Sequence, residues 1–148
     1  MDIQTSRFGK IEIADDTVID FPNGLYGLQQ LHRYCLLQHD DTGEFFWLQS
    51  VEEPSIAMVV TDPFRYFPSY EVEIPDGAAE ALETQSVEDV AIYTSVCVTQ
   101  KPAGAFTNLL GPLVINHRTR VGMQLVLDGS RYTCRHPLAE PEMMAKAA

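Results

Sequence analysis

With 148 residues, 45% of them hydrophobic, the chain holds enough apolar material for one globular domain with a single core, and two independent domains would be cramped. No apolar run approaches the roughly 20 residues that cross a bilayer, and the opening MDIQTSRFGKIEI lacks the charged-then-apolar order of a signal peptide, so a cytoplasmic protein is expected. A net charge of −11 argues against direct nucleic-acid binding, which depends on neutralising phosphates with Lys and Arg.

The charge is unevenly placed. Residues 40–90 carry thirteen acids against the single Arg65, whereas residues 91–148 carry three acids and six bases. An acidic face of this kind steers a basic partner or simply keeps the protein soluble. The three cysteines, Cys35, Cys97 and Cys134, form no CxxC pair and lie in strand-like apolar contexts, which predicts buried free thiols.

In chain order, KIEIA alternates so that Ile11 and Ile13 share a face, and FPNGLYG reads as a turn. LQQLHRY could add one turn of helix. RYCLLQHD and FFWLQS read as central strands joined antiparallel through Thr42-Gly43, and IAMVVTD as another. YEVEIP predicts a strand with Val72 and Ile74 inward and Glu71 and Glu73 outward. PDGAAEALETQS is the best helix, with Asp76 placed to cap it. VAIYTSVCVTQ predicts a long strand that turns Val90, Ile92, Thr94, Val96 and Val98 to one inner face.

Leu113 to Asn116 reads as a strand, HRTR as its turn, and Gly122 to Leu127 as the returning strand. Asp128-Gly129 then tolerates the positive φ of a tight hairpin leading into Arg131-Tyr132-Thr133. About nine short strands without a strand–helix–strand rhythm predict a mainly β fold, a small antiparallel β-barrel-like single domain over residues 1–138 with one or two short helices. Residues 139–148 are expected to be a frayed tail.

Signatures of nucleophilic, phosphate and zinc-hydrolase chemistry are missing: there is no G-x-S-x-G, P-loop, G-x-G-x-x-G or H-E-x-x-H. His39-Asp40-Asp41 offers metal-type ligands, but strand neighbours point to opposite faces and the run precedes a Gly turn. Cys134 and His136 could share a strand face, yet two ligands do not make a site. No metal or cofactor is expected, and an enzyme or ligand-binding small barrel is the alternative reading.

The segment TDPFRYFPSYE places Phe64, Arg65, Tyr66, Phe67 and Tyr70 on a loop or edge, since Asp62-Pro63 starts a turn and Pro68 interrupts any ladder. These rings either plug one end of the barrel or anchor a partner. Asn108, Asn116 and Gln124 are expected to satisfy backbone groups around an irregular loop instead of binding a ligand.

The colinear succession of SRFGKIEI, IDFPNGLYG, FFWLQSVEEPSIAMVVTDPFRYFPSYEVEI, EDVAIYTSVCV, TNLLGPLVINHRTRVGMQLVL and YTCRHPL resembles the flagellar assembly factor FliW family over nearly the whole chain. The resemblance implies a compact, non-enzymatic β-barrel-like monomer. It implies binding to CsrA, a basic RNA-binding dimer whose repression of flagellin translation is thereby relieved, and binding to flagellin in a switch that senses flagellin level. For CsrA the expected face is Glu52, Glu53, Glu71, Glu73, Glu80 and Glu83, whose field would raise the energy of bringing phosphates near. For flagellin the expected rim is Phe64, Arg65, Tyr66 and Phe67. The HRTR turn and the Ala-rich tail depart from the family in detail.

Overall fold

The computed structural model describes residues 1–38, 43–84, 87–100 and 103–138. The first two strands, β1 (Asp2–Thr5) and β2 (Gly9–Glu12), form a separate antiparallel hairpin with Asp2 opposite Glu12. Nine more follow: β3 (Ile19–Asp20), β4 (Arg33–Gln38), β5 (Phe45–Ser50), β6 (Ala57–Thr61), β7 (Val90–Gln100), β8 (Ala103–Thr107), β9 (Leu113–Asn116), β10 (Val121–Gln124) and β11 (His136–Pro137). They order β11-β8-β7-β6-β5-β4-β3-β10-β9, and a further β7–β9 pairing brings the last strand back to the third. Seven strands therefore run in a closed ring, antiparallel except where β10 meets β3, Val121 opposite Asp20.

Closure explains the distribution of apolar residues. Inside the ring sit Ile19, Phe21, Leu25, Tyr34, Leu48, Val60, Leu113 and Ile115, all buried. Successive strand residues point to opposite faces, so Cys35 and Leu37 of β4 face outward, where the β1–β2 hairpin covers them with Ile3 and Ile11. On another side Val114, Val90 and Ile92 face outward and are covered by Leu82, Val72, Ile74 and Ala78, from the short helix α1 (Asp76–Ala81) and the segments flanking it. Strands buried on both faces read as apolar runs, and β9, buried at all four positions, is the clearest case.

The mainly β prediction is correct, as are the strands at KIEIA, RYCLLQ, FFWLQS, AMVVT, VAIYTSVCVTQ and LVIN, the antiparallel β4–β5 pair and the FPNGLYG turn. Six expectations need correction. Residues 71–75 make no ladder, although Val72 and Ile74 point inward and Glu71 and Glu73 outward as predicted; period-2 patterning reports an extended backbone and its sidedness, not a pairing partner. The Asp128-Gly129 turn forms, with Gly129 at φ +76° and Leu127 O accepting from Ser130 N, but no hairpin results. Its arms attach separately to the loop at residues 109–112: Leu127 N donates to Leu110 O, while Thr133 O accepts from the amides of Leu109 and Leu110.

Of the β7 residues expected on one inner face, Val90 and Ile92 face out of the ring beneath the cover of Leu82, Val72 and Ile74, and Val98 is 73% exposed, because β7 pairs with β6 only at Thr94 and Ser95 and its far end continues with β8 alone. Asp76 does not cap α1; it is the first helical residue, one place too late, and Pro75 holds the extended cap position. LQQLHRY forms turns, not helix. Of the cysteines Cys35 is buried, whereas Cys97 and Cys134 are exposed. His39-Asp40-Asp41, Thr42 and the tail lie outside the described residues.

Phe21 reaches the interior across β10 because position 122 has no side chain: a Cβ there would lie 2.6 Å from Phe21 Cε1. Gly122→Ala is expected to destabilise the fold by about 1–3 kcal/mol, since the ring must leave its place in a packed core. Urea denaturation, with midpoint and slope compared to the unsubstituted protein, checks this.

Candidate functional site

Asp62-Pro63 starts a 3-10 turn, Pro63–Arg65, in which Asp62 Oδ1 accepts from Phe64 N at 2.9 Å. The backbone then folds back, with Phe67 N donating to Pro63 O and Tyr70 N to Phe67 O. Tyr70 is buried and its hydroxyl donates to Leu109 O at 2.6 Å, with Tyr132 edge-on at 4.8 Å. Burial first, and the neighbouring Tyr132 second, push the Tyr70 hydroxyl pKa far above its ordinary value of 10.0, so it remains a donor.

Around this anchor Phe64 lies 5.7 Å from Tyr70, Phe67 lies 5.9 Å from His136, and Tyr66 lies 6.5 Å from Phe45, all between ring centroids. Phe64 is exposed, Tyr66 and Phe67 are half-buried, and Arg65 donates to Gly43 O. Tyr66, Phe67 and Tyr70 line one side of an open cavity of about 390 Å³ bounded on its other side by Arg131, Tyr132 and His136; Phe64 lies outside it, lining a separate cavity with Asp62. Tyr70 is thus buried against the loop at Leu109 and Tyr132, and Tyr66 and Phe67 beside it leave an aromatic cup.

Beside the cup, the extended segment 71–76 and the strand end 123–128 form the walls of a groove of two adjoining cavities, about 490 and 770 Å³. Glu73, Pro75, Val126, Leu127 and Asp128 line both, and Glu71 and Asp76 line the larger. Val126, 39% exposed, and Leu127 give its lining apolar surface, and four carboxylates line it; Arg131 is the one base in its lining among the described residues. Arg131 and Tyr132 border cup and groove alike, and Glu71 N donates to the Tyr132 hydroxyl at 3.0 Å, tying the two surfaces together.

Of the six glutamates expected to form one face, Glu71 and Glu73 line this groove and the others do not. One Glu52 oxygen accepts from the amides of His32 (2.6 Å) and Arg33 (2.8 Å), and Glu53 accepts from Ser55, so both hold backbone turns at one end of β4 and β5. Glu80 is exposed on α1, and Glu83 follows the helix in the left-handed region, φ 55°. Asp76, Asp128, Val126 and Arg131 are groove residues that sequence reasoning missed. Asp76 and Asp128 had been explained as a cap and a turn, and nothing local shows that residues 76 and 128 face one another.

The amides behave as expected. Asn116, fully buried, donates to Leu82 O at 2.7 Å and accepts from the amides of Arg118 and Thr119, joining the end of α1 to the β9–β10 turn. Asn108 Oδ1 accepts from Leu110 N and Gly111 N, and Gln124 bridges Tyr26 N and Gly111 O. Arg118 donates to Glu83 O and Arg120 to Thr17 O. Among the described residues no three His, Cys, Asp or Glu side chains gather where a metal could be held, and His136 Nε2 accepts a bond from Thr133 N.

Comparison with known proteins places this geometry in context. The family model described as FliW protein matches residues 2–138. The flagellar assembly factor FliW of Moorella thermoacetica is 37% identical over 142 residues, covering 93% of this chain and 88% of that protein. The counterpart from Geobacillus kaustophilus is 38% identical over 146 residues, covering 99% and 100%. A crystal structure of the flagellar assembly factor FliW superposes with a TM-score of 0.84 at 35% identity, covering 95% of this chain and 98% of that one.

The Glu52 contacts have a pH signature. Backbone bonds from His32 and Arg33 hold its carboxyl below the ordinary value of 4.5, so its contribution to stability is present above that pH and is lost as pH falls through the folded value. Glu52→Gln is expected to be less stable than the parent at pH 7, with the gap closing in acid. Thermal melts of both proteins from pH 7 to pH 3 check it.

Proposed function

The chain belongs to the FliW family of flagellar assembly factors, and on that premise we propose that it works without catalysis, as a cytoplasmic monomer that binds CsrA and flagellin in alternation. Binding CsrA antagonises repression of flagellin translation; binding flagellin withdraws the protein from CsrA, so that flagellin level sets the outcome. The observation that carries this reading is the juxtaposition of an acidic groove and an aromatic cup that share Arg131 and Tyr132.

A basic dimer complements the groove and the acidic stretch around it. Four carboxylates on its rim, in a chain of net charge −11, attract a basic surface from beyond contact range. Once docked, the same field raises the energy of bringing RNA phosphates close, so displacement of RNA does not require covering the RNA-binding residues. The apolar side chains of Val126 and Leu127 in its lining supply the short-range contact that a purely electrostatic encounter lacks. Flagellin, which buries apolar surface when it assembles, is assigned to the cup of Tyr66, Phe67, Tyr70 and Tyr132, with the exposed Phe64 beside it. A bulky partner in either place overhangs the wall at Tyr132 and obstructs the other.

Reversing the rim with Glu71→Lys, Glu73→Lys, Asp76→Lys and Asp128→Lys tests the electrostatic half. All four side chains are exposed in the fold, so the variant is expected to remain folded by circular dichroism. Its affinity for CsrA at physiological salt is expected to fall by roughly 10-fold or more, with the salt dependence of the association rate flattened. Unchanged affinity and RNA displacement would remove the groove from the account.

A further inference from the structure

The aromatic cup differs chemically from its surroundings. The two groove cavities, a cavity between Asp62 and Tyr93 and one between Asp15 and Arg120 each have at least one carboxylate in their lining; the cup has none among the described residues, in a protein with more than twice as many acids as bases. Its charged member is Arg131, whose guanidinium stands 5.4 Å from the Tyr132 ring and makes no ion pair among the described residues. A guanidinium against an aromatic face keeps its N–H edge available for a carboxylate, which it can grip with two parallel hydrogen bonds.

The remaining polar groups point to the same ligand chemistry. His136 Nε2 is occupied as an acceptor by Thr133 N, which leaves the ring's proton on Nδ1 as a donor; Ser69 adds a hydroxyl. The rings are fixed before any partner arrives, Tyr70 by Leu109 O and Tyr132 by Glu71 N. Preorganised aromatic walls of this kind accept an apolar side chain at low entropic cost.

From this charge complementarity we infer that the cup receives an apolar or aromatic side chain from a partner segment that carries a carboxylate close by, with Arg131 as the group that selects the carboxylate. The inference rests on the proposal that the cup is the flagellin site, and it specifies which kind of flagellin segment enters. It also gives Arg131 opposite roles on its two sides: attractive toward an acidic segment in the cup, repulsive toward a basic partner in the groove.

The test is Arg131→Glu, with Arg131→Gln beside it, assayed against monomeric flagellin and against CsrA by calorimetry. Arg131 is exposed and its side chain holds no backbone group among the described residues, so both variants are expected to fold. Arg131→Glu is expected to bind flagellin at least 10-fold more weakly while binding CsrA as well as or better than the parent, with Arg131→Gln intermediate for flagellin. Flagellin bound equally by parent and Arg131→Glu would overturn the inference while leaving the flagellin reading in place. A parent protein that binds no flagellin would overturn that reading and the inference with it. Parallel loss of both partners would also count against it, because a charge-selective role predicts opposite signs.

Discussion

Pairing of β7 with β9, which sets Val90 opposite Asn116 and Tyr93 opposite Leu113, is the contact that turns an ordinary meander into a closed ring. Closure gives β9 two buried faces: Leu113 and Ile115 fill the interior, and Val114 needs cover from outside. Helix α1 provides it through Leu82, and the buried Asn116 secures the helix end by taking Leu82 O. A buried amide with both ends bonded is costly to disturb, since each orphaned partner loses about 1–3 kcal/mol. The extended segment 71–75 is stretched between the aromatic cup and α1, so its path is set by the closure as well.

That path generates the surface chemistry. Because Val72 and Ile74 must face inward to cover β7 and β10, Glu71 and Glu73 face outward, opposite the arm that ends at Asp128. The arm itself divides around the loop at residues 109–112, sending Leu127 to one side and Tyr132 to the other. Tyr132 thereby becomes the wall between an acidic groove and an aromatic cup whose lining holds no acid among the described residues. Two adjoining surfaces of opposite charge preference are the physical requirement for the proposed switch between a basic regulator and a flagellar subunit.

Much of the fold was legible in local patterning. Alternation located the long β7 strand and the sidedness of 71–75, and the apolar run Leu113–Ile115 read as a strand. What alternation lacks is information on pairing. It could not show that residues 71–75 have no ladder partner, that the arms of the Asp128-Gly129 turn separate, or that β7 outruns β6 and leaves Val98 and Cys97 in solvent. The aromatic rim was legible because Pro63 and Pro68 bar it from a ladder. The groove was legible only in Glu71 and Glu73, because its two walls lie about fifty residues apart and Asp76 and Asp128 each have a local explanation, as a cap and a turn. Strands β1, β3 and β8 were missed because they are short or poor in β-branched residues.

The central claim is that the two partners exclude one another across a shared wall. It is tested most directly by adding monomeric flagellin in increasing amounts to the preformed complex with CsrA and following the species by analytical ultracentrifugation. The account predicts stoichiometric release of CsrA and appearance of the flagellin complex, with no larger species at any ratio. A stable assembly containing all three proteins would contradict it.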